Sequence, residues 1–134
     1  MAEGVVLDAS AILAAIQQEI GGAPVVYALT EPERHLMVSS VNLCEVATKL
    51  VSTGHTRAEV PISLEPFLKY VVDFDQGQAL VAAELARLTR PLGLSFGDRA
   101  CLALATTHKA TAWTTDGAWS KLKLDVKVRV LRSR

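Results

Sequence analysis

Short apolar runs alternate along the chain with longer stretches in which apolar and polar residues recur at helical spacing. The runs are brief and rich in β-branched residues, which is typical of strands buried on both faces of a sheet. Strands are predicted at residues 5–7, 36–38, 71–74, 112–115 and 126–130, and helices at 9–16, 25–29, 41–52, 56–70, 79–88, 98–105 and 118–122. Pro61 and Pro66 are expected to interrupt the fourth helix. Because strands and helices alternate without hairpin signals, the pattern predicts an α/β fold with a parallel sheet.

Length and composition narrow the class of protein. The chain has 134 residues, which fits one domain over residues 1–134 with enough material for a core. Half of the residues are hydrophobic and the mean hydropathy is +0.27, which argues against disorder. Polar residues at 17–19 interrupt the best candidate for a membrane span, and no secretion leader is recognised, so a cytoplasmic protein without a membrane segment is expected. Cys44 and Cys101 lack zinc-site spacing and are expected to be buried thiols.

The charges cancel in number but not in position. Fourteen Lys and Arg residues balance fourteen Asp and Glu residues over the whole chain. Residues 1–67 contain three basic and eight acidic residues, whereas residues 68–134 contain eleven basic and six acidic residues. The basic tail from Lys121 onward permits contact with a polyanion such as nucleic acid, although such a run is usually a solvated face.

Four acidic residues fall at corresponding positions of the predicted elements. Asp8 directly follows the first strand and Asp116 the fourth, while Asp98 begins the helix that precedes the fourth strand. Glu45 lies one turn into the helix that follows the second strand. Because the carboxyl ends of parallel strands open on one edge of a sheet, these four side chains are expected to converge there. Converging carboxylates repel one another unless a hard divalent cation such as Mg²⁺ or Mn²⁺ neutralises them.

Each acid also has a local interpretation. Asp8 or Ser10 is suited to cap the first helix, and Asp98 is suited to cap its own helix or to balance its dipole. Asp116 begins an Asp-Gly turn, and Glu45 would then be an ordinary surface residue. The joint placement of the four acids favours metal ligation, since an unpartnered Glu in an apolar segment is costly to bury.

Other hydrolytic chemistries lack their sequence signals. His35, His55 and His108 lie in a strand lead-in, a turn and a helix end, so nothing aligns two of them as general acid and base. The chain has no Gly-x-Ser-x-Gly nucleophile elbow, no P-loop and no dinucleotide-binding glycine pattern. The acids are therefore the candidate site.

The four segments that carry these acids match a known pattern in their order and spacing. They are residues 6–11, 40–46, 94–105 and 114–119, with the sequences VLDASA, SVNLCEV, LSFGDRACLALA and TTDGAW. Over nearly its whole length the chain thereby resembles the PIN-domain ribonucleases, and within them the toxin subunits of VapBC-type toxin–antitoxin pairs. The resemblance implies a three-layer α/β/α fold with a short-stranded, mainly parallel central sheet.

The resemblance also implies roles for the acids. Asp8, Glu45 and Asp98 would be the main catalytic and metal-binding residues. Asp116 would be a fourth acid of the same site, more distant and acting through water.

Supporting residues follow from the same comparison. Ser10 resembles the family's small hydroxyl residue beside the first Asp, and Thr114, or alternatively Thr115, resembles the hydroxyl residue before the last acid. Arg99 stands where Arg is frequent in this toxin group, and it would contact phosphate or balance the acids. Trp119 stands where many relatives have Phe, a change expected to alter packing rather than chemistry.

The implied activity is hydrolysis of RNA phosphodiester bonds by an activated water, with Mg²⁺ or Mn²⁺ as cofactor, which inhibits translation and growth. A VapB-type antitoxin would wrap the toxin and place Arg or Lys in the acidic pocket. A homodimer is also expected, with apolar helix surface such as residues 79–88 available for its interface. Two alternatives stay open: a PIN nuclease with an RNA-processing or DNA role outside toxin–antitoxin pairs, and a non-catalytic module that binds a partner.

Overall fold

The computed structural model describes residues 3–131, in which five parallel strands form one sheet and six helices connect them. In chain order the elements are β1 (Gly4–Leu7), α1 (Ala9–Ile16), α2 (Ala23–Leu29), β2 (His35–Ser39), α3 (Ser40–Ser52), α4 (Glu59–Leu68), β3 (Val71–Val72), α5 (Gln76–Thr89), α6 (Phe96–His108), β4 (Thr111–Thr114) and β5 (Lys127–Val130), with 3₁₀ turns at Arg90–Leu92 and Gly117–Lys121. The predicted alternation of strands and helices is therefore confirmed. Within the described residues, no helix has the length and apolar character needed to cross a membrane.

β1 lies at the centre of the sheet, whose strand order is β3-β2-β1-β4-β5. Neighbouring strands are parallel throughout, and Val6 of β1 lies opposite Met37 of β2 and Ala112 of β4. The chain moves outward from β1 through β2 to β3 and then returns to the other side of β1 to form β4. The carboxyl ends of β1 and β4 therefore meet where the strand order reverses, which is the usual position of a ligand site in an α/β protein.

Two hydrophobic cores, one on each face of the sheet, create the three layers. Alternate residues of β1 point to opposite faces, so Val5 and Leu7 pack against α1 to α4 whereas Val6 packs against α6. Large, fully buried side chains fill both cores, and each contributes about 2 kcal/mol by leaving water. They include Ile12, Leu50 and Phe67 in the first core and Leu102, Leu104 and Trp119 in the second. The predicted three-layer α/β/α class is confirmed.

α4 continues through both of its prolines, so the predicted interruption was wrong. Pro61 lies in the first turn, where a missing N–H leaves no intrahelical hydrogen bond unmade. Pro66 lies two residues before the helix ends, which limits the number of turns it disturbs. The buried side chains of Val60, Leu64 and Phe67 anchor the helix on the first core and outweigh the cost of this proline.

The two cysteines differ in burial. Cys101 of α6 is buried as predicted, but Cys44 of α3 is exposed, so the prediction was wrong for that residue. The buried residues of α3 are Asn42, Val46 and Leu50, four positions apart along one stripe. Cys44 lies midway between the first two and therefore points to the opposite side of the helix.

Candidate active site

Asp8 lies directly after β1 and is 3% exposed. Its Oδ1 accepts hydrogen bonds from Ser10 Oγ at 2.7 Å and from the backbone N–H of Ala11 at 2.8 Å. Its Oδ2 accepts a hydrogen bond from Thr114 Oγ1 at 2.6 Å, across the gap between β1 and β4. Asp8 therefore caps α1, as the local interpretation predicts, but the cap uses only one of its two oxygens. The other oxygen is held toward β4.

Burial raises the pKa of the Asp8 carboxyl from 3.8 to about 6. Hydrogen bonds from Thr114, Ser10 and Ala11 lower this pKa and offset part of the effect, while the negative charge of Asp98 raises it further. A cation placed at this point would favour the ionised form of Asp8.

Hydroxyl groups connect the turn after β1 to the end of β4. Ser10 Oγ lies 3.3 Å from Thr114 Oγ1 and accepts a hydrogen bond from the backbone N–H of Thr115 at 3.0 Å. Thr114 Oγ1 also accepts from the backbone N–H of Asp116 at 3.0 Å. Of the two threonines, Thr114 is thus the one whose hydroxyl contacts Asp8, and the network fixes the direction of that carboxylate.

Glu45 is positioned by two residues that the sequence analysis did not identify as functional. Asn42 is 1% exposed, and its Nδ2 donates to Glu45 Oε1 at 2.7 Å and to the backbone oxygen of Gly97 at 3.0 Å. A Cβ at Gly97 would stand 2.3 Å from the carboxylate of Glu45, so only glycine leaves room for it. The sequence offered two signals for these residues. Asn42 lies three positions before Glu45 in the same helix, and Gly97 directly precedes Asp98 in the first turn of α6.

Asp98 combines a capping role with a place near the other acids. It lies in the first turn of α6, where its Oδ2 accepts from the backbone N–H of Ser95 at 2.9 Å and its own N–H donates to Ser95 Oγ at 3.2 Å. One turn further along, burial raises the pKa of the Cys101 thiol, and the charges of Asp8, Asp98 and Glu45 raise it further. The contact seen directly is that of Glu45 with Gly97, the residue before Asp98, which brings the Glu45 carboxylate to the start of α6.

Two predicted site residues have other contacts in the structure. Asp116 is exposed, and its Oδ1 accepts from the backbone N–H of Ala118, so it caps the 3₁₀ turn that follows β4. Arg99 donates from Nη1 to the backbone oxygen of Ala82 at 2.9 Å, and its guanidinium lies 5.9 Å from the centre of the Phe96 ring. Arg99 thus contacts α5 and an aromatic ring and forms no ion pair with an acid within residues 3–131, while its contact with phosphate stays a prediction.

Among the described residues, the acids at this edge form no ion pair with a cation. Across residues 3–131, the ion pairs within 4.0 Å are those of Arg34 with Glu3 and Glu31, at the other end of the strands. The oxygen donors of Asp8, Glu45 and Asp98 suit a hard divalent ion. In the part of the chain that the structure describes, however, no three acidic, His or Cys side chains are close enough together to enclose an ion. The donor atoms of these residues thus suit the predicted metal in type, but their arrangement is not that of a complete ion site, and the metal site stays a prediction.

Comparison with known proteins establishes the family. Residues 5–124 match the sequence model of the PIN domain, so the chain belongs to the PIN-domain family, and the resemblance seen in the sequence is confirmed. Proteins of this family are nucleases that generally use divalent metal ions. A comparison with curated protein sequences gives no match.

Solved structures of toxin–antitoxin proteins share the fold. VapBC2 from Rickettsia felis, solved with a promoter DNA fragment, has a TM-score of 0.74 at 17% identity, covering 95% of this chain and 98% of that one. VapC20 from Mycobacterium tuberculosis, described as a sarcin–ricin loop cleaving toxin, has a TM-score of 0.69 at 20% identity, with coverages of 92% and 98%. VapBC-5 from the same organism, of the VapBC family of toxin–antitoxin systems, has a TM-score of 0.65 at 23% identity, with coverages of 98% and 99%.

Proposed function

We propose that this chain is the toxin of a toxin–antitoxin pair, a Mg²⁺- or Mn²⁺-dependent endoribonuclease that inhibits translation and growth. The observation that carries the proposal is the position of the Glu45 carboxylate against Gly97, next to Asp98, with no ion pair for Asp8, Glu45 or Asp98 among the described residues. Carboxylates without an ion pair, at the point where the strand order reverses, can bind a hard cation. The bound cation can in turn attract an anionic substrate.

Asp8, Glu45 and Asp98 would hold the metal, with Asp116 further out and acting through water. When bound, the ion supplies an activated water and stabilises the charge that develops on the phosphate and on the departing 3′-oxygen. Ser10 and Thr114 direct the oxygens of Asp8, and Asn42 directs those of Glu45. Such hydrogen bonds fix ligand orientation before the substrate arrives.

RNA is the proposed substrate. The similar fold of VapC20, a toxin described as cleaving the sarcin–ricin loop, supports an RNA target. In this mechanism the 2′-hydroxyl is not the nucleophile, and hydrolysis leaves a 5′-phosphate and a 3′-hydroxyl. Because the metal would supply the positive charge at the reacting phosphate, basic residues around the site need only guide the RNA backbone. A net charge of zero for the chain agrees with this.

A cognate antitoxin is the proposed protein partner. The similar structures from R. felis and M. tuberculosis are of VapBC proteins, the second described as a toxin–antitoxin system. An Arg or Lys of the antitoxin would pair with the free carboxylates and exclude both metal and substrate. We also propose a homodimer, supported by the exposed side chains of Leu80 and Leu88 on α5.

Replacement of Asp98 by Asn tests the nuclease proposal. Wild-type protein should cleave RNA in Mg²⁺ or Mn²⁺ and not in EDTA, and Asp98→Asn should lower the rate about 100-fold or more by removing a ligand charge. Asp75→Asn is the matched control, because Asp75 also caps a helix, α5, but is exposed and carries no proposed ligand role. Undiminished cleavage in EDTA would contradict the metal mechanism.

Expression in a bacterial host tests the toxin role separately. Wild-type protein should arrest growth, whereas Asp98→Asn should not, and Asp75→Asn should behave as wild type. Metal-dependent cleavage of RNA without growth arrest would instead support a PIN nuclease with a processing role.

A further inference from the structure

An exposed aromatic ring stands beside the acidic site. Phe96 is the first residue of α6, two positions before Asp98, and it is 50% exposed. The next residue, Gly97, is the one whose backbone lies against the carboxylate of Glu45. The burial of an aromatic side chain is strongly favourable, so a ring left half in water next to a polar site is a candidate contact surface.

The Phe96 ring is supported by its neighbours. Phe74 forms an edge-to-face pair with it, with ring centres 5.6 Å apart and an angle of 86° between the planes. The guanidinium of Arg99 lies 5.9 Å from the ring centre and is itself fixed by its hydrogen bond to Ala82. The backbone N–H of Phe74 donates to Ser40 Oγ at 3.0 Å, which ties this group to the start of α3. The ring is therefore held in a defined orientation.

A groove of about 710 Å³ runs along α3 beside this ring. Phe96 forms one wall and Glu45 belongs to the same lining. Val41 and Cys44 make the groove apolar, and Lys49 adds a cation. The groove therefore shares Glu45 with the proposed phosphodiester site, and its apolar surface suits a flat group such as a nucleobase.

We infer that Phe96 is a stacking platform for one unpaired nucleobase of the RNA, next to the phosphate that is cut. The inference rests on the proposed function, which places that phosphate at Asp8, Glu45 and Asp98. A neighbouring base can then enter the groove and stack on the ring, and Arg99 strengthens the contact by its position beside the aromatic pair. Bases in a duplex already stack on one another, so the platform selects single-stranded or looped RNA.

Kinetics on a single-stranded RNA oligonucleotide of mixed sequence tests the platform. Phe96→Leu keeps apolar volume but removes the aromatic face, and it should raise KM about tenfold while kcat changes little. Phe96→Trp restores an aromatic face and should restore KM. Tyr27→Leu is the matched control, because Tyr27 is an exposed aromatic residue of α2 outside the groove. Its KM should equal that of the wild type.

Abasic substitution identifies the base that contacts the ring. Once the cleavage position is mapped, single abasic sites are placed on either side of it. At one of these sites the difference between wild type and Phe96→Leu should vanish, because the base that stacks is gone. A difference that persists with every abasic substrate would overturn the inference, as would equal KM values for Phe96→Leu and Tyr27→Leu.

A binding measurement separates this inference from the proposed function. Fluorescence anisotropy of labelled RNA is measured in the Asp98→Asn background, which is expected not to cleave. Adding Phe96→Leu should weaken binding about tenfold, and adding Tyr27→Leu should not. If wild-type protein binds RNA through Phe96 but does not cleave it, the proposed nuclease activity is wrong while the stacking role of Phe96 is supported. If the protein does not bind RNA, or binds it equally well without the Phe96 ring, the stacking role is wrong. The groove would then be a candidate contact surface for a protein partner.

Discussion

The acidic residues at the two ends of the sheet have different partners. At the amino ends of the strands, Arg34 pairs with Glu3 at 3.5 Å and with Glu31 at 3.0 Å, and Glu3 also accepts a hydrogen bond from Thr111. At the carboxyl ends, Asp8 and Glu45 accept hydrogen bonds only from neutral donors in the described part of the chain. The second group therefore lacks the ion pairs that stabilise the first among the described residues, and under the proposed function its charge binds a cation.

Removal of the buried charge is the largest expected change in stability. Asp8→Asn replaces a carboxyl whose pKa is raised to about 6 by a neutral amide of the same shape. At pH 7.5 in EDTA the variant should gain up to about 3 kcal/mol of unfolding free energy, since each pKa unit corresponds to about 1.4 kcal/mol. Denaturant unfolding measures the gain. A variant less stable than the wild type would show that the Asp8 charge is well compensated.

The same group predicts a pH dependence of stability. The pKa of Asp8 is about 6 in the folded protein and near 3.8 in the unfolded chain. The folded state therefore binds the proton more tightly, so the contribution of Asp8 is fully present well below the unfolded pKa of 3.8 and is lost as the pH rises through the folded pKa of about 6, to about pH 7. The unfolding free energy of wild type minus that of Asp8→Asn should fall by about 3 kcal/mol over this range. A flat difference curve would contradict the raised pKa.

Gly97→Ala changes the site without changing its charge. The new methyl group would displace the carboxylate of Glu45, because the Cβ would stand 2.3 Å from it. We expect cleavage to fall about 10- to 100-fold, as for other changes that misorient a metal ligand.

Gly77→Ala is the matched control for this substitution. Gly77 occupies the equivalent second position of α5, where a Cβ would make an ordinary 3.6 Å contact with Asp75. Its activity should be unchanged and its stability equal or slightly higher, since Ala favours the helix over Gly by about 0.5–1 kcal/mol. Equal activity of the two variants would remove the proposed role of Gly97.

The smallest effect is expected at the amino ends of the strands. Arg34→Ala breaks both ion pairs, yet such partly exposed pairs contribute at most about 1 kcal/mol each. Denaturant unfolding should show a loss of about that size, and RNA cleavage should be unchanged. A large loss of activity would mean that the two ends of the sheet are coupled.

The sequence predicts most of the fold because the signals of the fold are local. The apolar run at residues 5–7 and the helical spacing after it define β1 and α1, and Asp8 falls between them for the same reason. The prolines of α4 misled the prediction because burial of side chains such as Phe67 outweighs a local penalty. The exposure of Cys44 depends on which side of α3 meets the core, and spacing alone left that ambiguous.

The contacts that support the site could not be predicted from local sequence patterns. Asn42 and Gly97 are 55 positions apart, and their hydrogen bond exists only because α3 packs against α6. The hydrogen bond from Arg99 to the backbone oxygen of Ala82 likewise exists only because α6 packs on α5. In each case the partner lies on another helix, and its distance along the chain hides it from pattern analysis.

The central claim is that Asp8, Glu45 and Asp98 bind a divalent cation. Calorimetry of Mn²⁺ binding at pH 7.5, without RNA, tests it most directly. Wild type and the capping control Asp75→Asn should bind Mn²⁺ alike, and Asp98→Asn should bind at least about tenfold more weakly. Equal binding by all three proteins, or no binding by the wild type, would contradict a metal-binding role for these acids.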